Sequence, residues 1–360
     1  MNITRILIIK THAIGDLLLV TPAIRAIRLK HPGASISMLV GKWSSGIIKA
    51  NPNIDTIIPF DESILFKRKV FSIFSLVREL RKARFECAYI FHQSPLIHLL
   101  AWAANIPIRI GFAQGWEKHL LTKNIRPNAP MDRYVTNTFL DLVVDSSDDC
   151  YHNLPELYVN TEADLFAQEF FEINCPYGKQ VIAVFAGGGV NPAERIEAKC
   201  LPLHKLAEVL NCLLKHISAS IVFVGGQADR VRTEQLIELV KSPCINLCGR
   251  TNLVETASVI NRSSILITND SSPLHMAVAL KTPSISFFGP SSARAFLPDD
   301  PIHVGIQSPK SCSPCYHFRR FPGCPDPSCL NEISVEEIVI KALHLLSLQG
   351  GEIPVDLTKQ

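Results

Sequence analysis

The sequence predicts an α/β protein with two doubly wound, Rossmann-like domains that face each other across a cleft. Three observations lead to this prediction. Short apolar runs alternate with longer amphipathic runs, the alternation stops and restarts around a Pro/Gly cluster, and 360 residues exceed what one core commonly holds. A chain that is 47% hydrophobic and 19% charged is typical of a folded protein with sizeable cores.

The first half begins with the apolar run Arg5–Ile9, which is short and uninterrupted, as buried parallel strands are. The longer amphipathic run at residues 17–30 predicts a helix. The later elements of this half are recognised by the same two patterns. Strands are predicted at residues 35–40, 54–59 and 86–91, and helices at residues 70–84, 132–144 and 162–173.

A cluster of chain-breaking residues at 174–178 marks the predicted linker, so the expected domains are residues 1–175 and 179–345. The same alternation restarts after it. Strands are predicted at residues 181–185, 221–224, 245–247, 265–268 and 284–288, and helices at 203–216, 230–240, 253–261 and 275–280. Because open parallel sheets bind ligands beyond the carboxyl ends of their strands, ligands are expected in the cleft between the two sheets.

Charge and motif content exclude several classes of function. A net charge of +3 is too small to predict nucleic-acid binding. A dinucleotide fingerprint fails because Pro192 stands where its third glycine belongs, and the sequence has no Walker A loop, no Asp-x-Asp pair and no Gly-x-Ser-x-Gly elbow. The sequence therefore does not predict an oxidoreductase, an ATPase or a serine hydrolase of these kinds.

The amino-terminal apolar run is short and is flanked by Arg5 and Lys10, which is unlike a signal peptide. No run approaches the ~18 apolar residues of a membrane-spanning helix. We therefore expect a cytoplasmic protein, in which the eleven cysteines stay reduced unless a metal holds them.

The loop after the first strand ends in Gly15 and Asp16. Asp16 is either the N-cap of the following helix or a general base that takes a proton from an acceptor hydroxyl. Gly15 would let the backbone turn tightly and leave the site open. Thr11 and His12, in the same loop, are candidate acceptor contacts, although a lone loop histidine is commonly just solvated.

Residues 269–275, Asn-Asp-Ser-Ser-Pro-Leu-His, lie between a predicted strand and a helix of small residues. They offer hydroxyls and unbonded amides at a helix N-terminus, which is a natural site for the phosphates of a nucleotide. The alternative is a capping box around a helix that begins with proline. The candidate residues of this nucleotide site are Asp270, Ser271, Ser272 and His275. Lys199 is a candidate cation near the diphosphate, and Asp229 is a candidate contact to the nucleoside.

Four late cysteines, Cys312, Cys315, Cys324 and Cys329, have the spacing C-x2-C-x8-C-x4-C. The first pair has metal-ligand spacing, so a structural zinc or an iron–sulfur cluster is one interpretation. The others are a loop of reduced thiols and a folding staple.

Two stretches resemble glycosyltransferase family 9, the lipopolysaccharide heptosyltransferases. The first is residues 5–24, with a strand, a lysine, Gly15-Asp16 and then Thr-Pro-Ala in the helix. The second is residues 268–277, followed by Thr-Pro at 282–283 and Phe-Gly-Pro-Ser at 288–291. The late cysteines are also similar to those of many members, and the resemblance covers residues 3–330.

The resemblance implies a GT-B fold with the acceptor on the first domain and an ADP-sugar on the second. It implies an inverting, metal-independent enzyme that moves a heptose from ADP-heptose to an inner-core, lipid A-linked acceptor, with peripheral contact to the inner face of the cytoplasmic membrane. By this resemblance Asp16 is the base and Asp270, Ser271 and Ser272 form the phosphate loop. His275, Lys199 and Asp229 correspond to further donor contacts.

Two departures from the family pattern concern the donor. Ser272 stands where the family has glycine, and Cys200-Leu201 replaces Arg-Trp. Three alternatives follow: a member that uses another nucleotide sugar, a non-catalytic module that binds a nucleotide sugar or lipid A, and a structural metal protein. The aromatic residues Trp102 and Trp116 are candidates for the acceptor side, with Arg109 and Lys118, although such aromatics pack in cores as often.

Overall fold

The structure of the protein is a computed structural model that describes residues 3–11, 13–66, 70–126, 132–144, 152–176, 179–188, 190–191, 194–195, 197–315, 324 and 328–348. The chain divides into two compact units, Met1–Tyr158 and Val159–Gln360.

The first unit is a parallel sheet with helices. Its strands are β1 (Arg5–Ile9), β2 (Ser35–Gly41), β3 (Thr56–Phe60), β4 (Cys87–Ile90), β5 (Ile108–Phe112) and β6 (Lys123–Ile125). Its helices are α1 (Ile14–Leu19), α2 (Thr21–Lys30), α3 (Ser63–Phe66), α4 (Val70–Ala83), α5 (Pro95–Ala103) and α6 (Val135–Leu140). The strand order is β3-β2-β1-β4-β5-β6, so the chain reverses its direction of travel across the sheet between β1 and β4.

The second unit repeats this plan. Its helices are α7 (Thr161–Asn174), α8 (Leu203–His216), α9 (Arg230–Ile237), α10 (Leu253–Asn261), α11 (Ser272–Leu280), α12 (Ala293–Phe296) and α13 (Val335–Ser347). Its strands are β7 (Gln180–Phe185), β8 (Val190–Asn191), β9 (Glu194–Arg195), β10 (Ala219–Phe223), β11 (Cys244–Asn246), β12 (Ile265–Asn269), β13 (Ser284–Phe288) and β14 (His303–Gln307). The sheet order is β11-β10-β7-β12-β13-β14, and β8 and β9 form a separate antiparallel pair.

Each sheet therefore has a topological switch point beside its first strand, between β1 and β4 in one unit and between β7 and β12 in the other. The central strands are apolar on both sides because helices cover both faces: Ile6, Leu7, Ile8 and Ile9 of β1 are fully buried. In such sheets the loops that follow the strands at the switch point are where ligands bind. In this chain Asp16 lies in the first turn of the helix that begins shortly after β1, and Asp270 directly follows β12.

Most predicted elements are confirmed, including a helix at residues 203–216 and a strand at 284–288. The single helix predicted at residues 17–30 is wrong: the structure has α1 and α2, because Pro22 cannot donate the backbone hydrogen bond that would continue α1. The helix expected at 132–144 is limited to α6. The prediction did not include α5, α13, β5, β6 and β14.

The first helix of the second unit, α7, lies before the linker that the sequence predicts at residues 174–178. Asp164 on α7 accepts hydrogen bonds from the Arg262 guanidinium, with Nε–Oδ1 and Nη2–Oδ2 distances of 2.9 Å, which ties α7 to α10. The compact units accordingly meet in sequence at residues 158–159. Residues 177 and 178 of the predicted linker lie outside the described residues.

Candidate functional site

The switch point of the first unit holds a buried ion pair. Lys10 follows β1 directly, and its side chain is fully buried. Its Nζ lies 2.6 Å from Oδ2 of Asp16 and 5.4 Å from the centroid of the Phe139 ring. Asp16 keeps 21% of its side chain exposed. A buried ammonium requires a carboxylate partner, so Lys10 fixes Asp16 at this edge of the sheet with its carboxylate reaching solvent.

The backbone around Asp16 differs from the sequence expectation. Asp16 is the third residue of α1, and the N-cap is Ala13, so the N-cap interpretation of Asp16 is wrong. The tight turn falls on Ala13, whose φ of 64° lies in the left-handed region. Gly15 lies inside α1 instead of forming that turn. An acidic side chain in the first turn of a helix is still favoured by the partial positive charge there.

A second carboxyl group, Glu62, lies close enough for the charge of Lys10 to act on it. Glu62 accepts a hydrogen bond from Trp43 Nε1 at 3.0 Å and one from the Thr11 hydroxyl. Burial raises the pKa of Glu62, against the effect of those two donors and of Lys10. Thr11 is thus buried against Glu62 in the structure. His12 lies outside the described residues.

The segment packed against Thr11 needs a glycine. A Cβ at Gly41 would lie 2.4 Å from the Thr11 carbonyl oxygen and 2.8 Å from Oε1 of Glu62. Both contacts are far shorter than real side chains allow, and the first is with backbone. The ends of β1 and β2 can approach each other only because this position has no side chain.

In the second unit, Asp270 lies at the centre of the candidate donor site, directly after β12. It is 4% exposed, and its Oδ2 accepts hydrogen bonds from Lys199 Nζ at 2.7 Å and Ser291 Oγ at 2.6 Å. Burial alone would raise the pKa of Asp270, but the charge of Lys199 and these donors outweigh it and lower the pKa. Asp270 is therefore an ionised group, and Lys199 belongs to the same cluster.

The N-terminus of α11 lies next to this cluster. Ser271 is the N-cap, with an extended backbone, and its side chain makes no capping hydrogen bond. Its Oγ is buried and has no hydrogen-bond partner. The capping-box interpretation is therefore wrong, although a proline in the first turn is confirmed. Ser272 is the first residue of α11, Pro273 has no amide hydrogen, and the Leu274 amide donates to the Ser271 carbonyl oxygen at 3.1 Å. The amides of Ser271 and Ser272 and one buried hydroxyl are therefore the donors that this turn can offer to an anion.

His275, one turn further along α11, is buried beside the same groups. Its ring centroid lies 6.2 Å from that of Phe296, and Lys199 Nζ lies 5.8 Å from the Phe296 centroid. The charge of His275 also acts to lower the pKa of Asp270. Phe296, which the sequence did not single out, thus forms one wall around Lys199 and His275.

Asn269 holds this region together. Its Nδ2 donates to the carbonyl oxygens of Ala186 at 3.2 Å and Gly187 at 2.8 Å, and its Oδ1 accepts from the Leu201 amide at 2.8 Å. The side chain is fully buried. It joins the loop after β7, the end of β12 and the segment that follows Lys199.

Asp229 lies after β10, the neighbour of β7, at the same edge of the sheet. Its Oδ2 accepts a hydrogen bond from the Gly226 amide at 2.9 Å. A Cβ at Gly187 would lie 2.2 Å from Asp229 Oδ1, so the carboxylate contacts the backbone of the loop after β7. The structure thus places Asp229 and the Asp270 cluster at the ends of the two strands that flank β7.

The four late cysteines are free cysteines, with Cys312 exposed and Cys329 buried. Burial raises the pKa values of Cys315 and Cys329, and the neighbouring thiols of the set add to both shifts. Among the residues that the structure describes, no three His, Cys, Asp or Glu side chains are arranged to hold a metal ion. The metal interpretation of the spacing stays a prediction.

Within the described ranges, no helix is both long enough and apolar enough to span a bilayer.

Sequence reasoning missed Lys10, Glu62 and Phe296 as parts of the two clusters, whereas Ser291 belongs to the Phe-Gly-Pro-Ser motif at residues 288–291. Lys10 had a usable signal, because a lysine directly after a fully apolar strand and shortly before Gly-Asp predicts a buried ion pair. Glu62 had none, since it lies in a loop far along the chain from Lys10.

Comparison with known proteins gives one family. The family model described as "Glycosyltransferase family 9 (heptosyltransferase)" matches residues 73–321. The lipooligosaccharide heptosyltransferase 2 of Haemophilus influenzae is 26% identical over 298 residues, covering 80% of this chain and 84% of that protein. The lipopolysaccharide heptosyltransferase 2 of Escherichia coli is 24% identical over 305 residues, covering 80% and 83%.

Solved structures share the fold. A family 9 glycosyltransferase from Veillonella parvula superposes with a TM-score of 0.80 at 22% identity, covering 97% of this chain and 99% of that one. The ADP-heptose lipopolysaccharide heptosyltransferase II of E. coli superposes with a TM-score of 0.77 at 21% identity, covering 97% and 100%. The two Rossmann-like units therefore have the GT-B fold of these structures.

Proposed function

The chain is a transferase that belongs to glycosyltransferase family 9, and we propose that it moves a heptose from ADP-heptose to a lipid A-linked acceptor in the inner core of lipopolysaccharide. Relatives that align with about four-fifths of the chain are heptosyltransferases of lipopolysaccharide or lipooligosaccharide, which supports the sugar and the class of acceptor. A solved structure of the same fold contains ADP-2-deoxy-2-fluoro heptose, which supports the ADP-linked donor.

The observation that carries this proposal is the cluster of Lys199, Asp270 and Ser271. The leaving group of the proposed reaction is a diphosphate that gains negative charge as the glycosidic bond breaks. The ammonium of Lys199 has three donors, so it can keep Asp270 and also contact a phosphate oxygen. The amides at the start of α11 and the buried Ser271 hydroxyl add neutral donors, which stabilise the charge as it develops.

Asp16 is the proposed general base. Lys10 keeps it a carboxylate, and its exposed fraction lets the acceptor hydroxyl approach. The acceptor oxygen attacks the anomeric carbon, Asp16 takes the proton of that hydroxyl, and the bond electrons leave with ADP. A single displacement of this kind inverts the anomeric centre.

We propose that the transfer needs no divalent metal. The sequence lacks the Asp-x-Asp pair, and Lys199 together with the first turn of α11 supplies the positive charge that the diphosphate requires. Asp229 is the proposed acceptor of a ribose hydroxyl hydrogen bond. It lies after β10, beside the loop after β7 that Asn269 anchors.

The test is a transfer assay with purified protein, ADP-heptose and a deacylated core acceptor, in which mass spectrometry detects the glycosylated product. Chelator is added to half of the samples, and the anomeric configuration of the product is determined by NMR. We expect product in both sets with inverted configuration. Donor binding without any product would instead support the non-catalytic module, and turnover of another nucleotide sugar in place of ADP-heptose would contradict the proposed donor.

A further inference from the structure

Gln307, the last residue of β14, is partly buried and takes no part in the proposed chemistry. Its Nε2 lies 3.2, 3.3 and 3.1 Å from the backbone carbonyl oxygens of Phe288, Gly289 and Ser291. The hydroxyl oxygen of Ser313 is a fourth acceptor, at 2.7 Å. Because an amide NH₂ group has two hydrogens, Nε2 shares them among these oxygens. One side chain therefore gathers the backbone that follows β13, at residues 288–291.

The oxygen of the same amide holds the start of α12. Oε1 of Gln307 accepts a hydrogen bond from the amide of Ala293, the first residue of α12, at 2.9 Å. The first amides of a helix have no acceptor within it, so this bond satisfies one of them. The helix also packs closely on β14, since a Cβ at Gly305 would lie 2.7 Å from Leu297 Cδ1. Gln307 thus fixes where α12 begins.

Ser313 lies within the first cysteine pair of the late motif, which the proposed function leaves without a role. Its hydroxyl donates to the carbonyl oxygen of Gly289 at 2.6 Å while it accepts from Gln307. The amide of Cys315 donates to the carbonyl oxygen of Pro290 at 2.8 Å. Through its backbone and one hydroxyl, the motif therefore supports residues 288–291, independently of any role of its thiols.

The two elements that Gln307 holds each present one side chain to the candidate donor site. The backbone carbonyl of Ser291 accepts from Gln307, and the hydroxyl of the same residue donates to Oδ2 of Asp270 at 2.6 Å. On α12, the centroid of the Phe296 ring lies 5.8 Å from Lys199 Nζ. Two short routes therefore join the Gln307 amide to the Asp270 cluster, one through Ser291 and one through α12.

We propose that Gln307 is a positioning residue of the donor site: its amide sets the places of Ser291 and Phe296, and Ser313 orients that amide. The inference rests on the proposed function, because it concerns the affinity for the diphosphate of the donor. The polar groups of a site stabilise a ligand most when they need not reorganise to bind it. Loss of the amide should therefore weaken donor binding although every residue of the Asp270 cluster is still present.

A purely structural role for Gln307 predicts a different outcome. Because β14 is the last strand in the order of its sheet, the amide could simply stabilise the edge of the unit. Its loss would then lower the free energy of unfolding and leave the ADP affinity of the folded protein unchanged. A positioning role instead couples Gln307 to Ser291, so the effects of the two substitutions on ADP affinity should not be additive in free energy.

The experiment is calorimetric titration of the full chain with ADP. Gln307→Leu removes every hydrogen bond of the amide at similar volume and should weaken ADP binding by about tenfold. Ser313→Ala removes one of its partners and should weaken ADP binding by about threefold. In Gln307→Leu/Ser291→Ala the loss should stay well below the product of the two single losses. In the transfer assay, Gln307→Leu should raise the KM of the donor and leave that of the acceptor unchanged.

The matched control is Gln180→Leu. Gln180 is also a partly buried glutamine of this sheet, and its Nε2 lies 3.5 Å from the carbonyl oxygen of Leu346. It lies at the first residue of β7, at the end of the strand opposite to the candidate site. Gln180→Leu should therefore bind ADP as the wild type does, and circular dichroism should show that each variant is folded.

Two results would overturn the positioning role while the proposed donor stands. One is a folded Gln307→Leu variant that binds ADP as tightly as the wild type. The other is a double variant whose loss equals the product of the two single losses. If Gln307→Leu does not fold, Ser313→Ala decides, and wild-type ADP affinity in that variant would overturn the role. A wild-type protein that binds no ADP would overturn the proposed donor as well.

Discussion

The two units carry the same kind of ion pair at their switch points, with the roles of its members reversed. In the first unit the lysine is buried and the aspartate is 21% exposed; in the second the lysine is 16% exposed and the aspartate 4%. The N–O distances are 2.6 Å and 2.7 Å. One unit therefore offers a carboxylate to a ligand and the other an ammonium. Burial, more than residue type, decides which partner of such a pair is available for chemistry.

The largest effect is expected from neutralising the exposed carboxylate of Asp16. Asp16→Asn should lower kcat by about 10²–10⁴-fold, because the amide cannot take the acceptor proton. Donor binding should be unchanged, which calorimetric titration with ADP checks. Circular dichroism should confirm folding, since Glu62 still faces Lys10 in the variant. Transfer at a near-normal rate would remove Asp16 from the proposed mechanism.

The two lysines should differ in what their loss does to stability. Lys199→Met leaves Asp270 buried without its cation, so the free energy of unfolding should fall by about 3–5 kcal/mol. Lys10→Met leaves Asp16 in contact with water, so the fall should be smaller. Urea unfolding of both variants measures the difference.

The control for that pair is Lys199→Met/Asp270→Asn, which removes the orphaned charge and should recover part of the lost stability. If the two single variants lose the same free energy of unfolding, the difference in burial between the two ion pairs does not affect stability. ADP affinity should fall in Lys199→Met and remain in Lys10→Met.

The contributions of Glu62 and Asp270 to the free energy of unfolding should change with pH in opposite directions. Burial raises the folded-state pKa of Glu62, so its unfavourable contribution appears as pH rises above the ordinary value of about 4.3. Glu62→Gln should therefore gain stability relative to the wild type as the pH increases from about 4 to about 7.

The folded-state pKa of Asp270 is lowered, so its contribution is present above about pH 3.9 and is lost as pH falls further. Asp270→Asn should therefore differ most from the wild type near neutral pH and converge with it in acid. Chemical denaturation of both variants across this range checks the two signs, and parallel curves for the two would contradict them.

The smallest expected effect is that of Ser271→Ala. The hydroxyl has no hydrogen-bond partner in the protein, so its removal should leave the free energy of unfolding unchanged or slightly higher. If it binds the diphosphate, ADP affinity should fall by up to about tenfold, the worth of one hydrogen bond. Unchanged affinity would confine the anion site to Lys199 and the amides of α11.

Much of the fold could be predicted from apolar periodicity, because buried parallel strands and their covering helices have clear patterns. The elements that were missed have mixed patterns: β5 contains Arg109, whose guanidinium donates to the backbone carbonyl oxygens of Ile106 and Leu120. The division between α1 and α2 required the effect of Pro22 to be weighed against a continuous apolar stripe. Asp16, Lys199 and Asp270 could be named from motifs.

Which member of each ion pair is exposed could not be predicted, because it depends on which side chain the core covers. Nothing in the sequence near Lys10 reports that Phe139 lies over its ammonium, 129 residues further along the chain. For the same reason Glu62 was not recognised. Whether the lysine or the aspartate of a pair is the exposed member can be seen only in the folded structure, where segments distant in sequence are in contact.

Asn269 contributes no group to the proposed chemistry, yet three stretches of backbone converge on its one amide. Because one side chain holds all three, they should open together. Loss of the Asn269 hydrogen bonds would release the ends of β7 and β12 and the segment leading to α8 in a single local unfolding event. The amide protons of residues 186–188 and of Leu201 should therefore exchange with solvent at a common rate, and a bound nucleotide should slow them by a common factor.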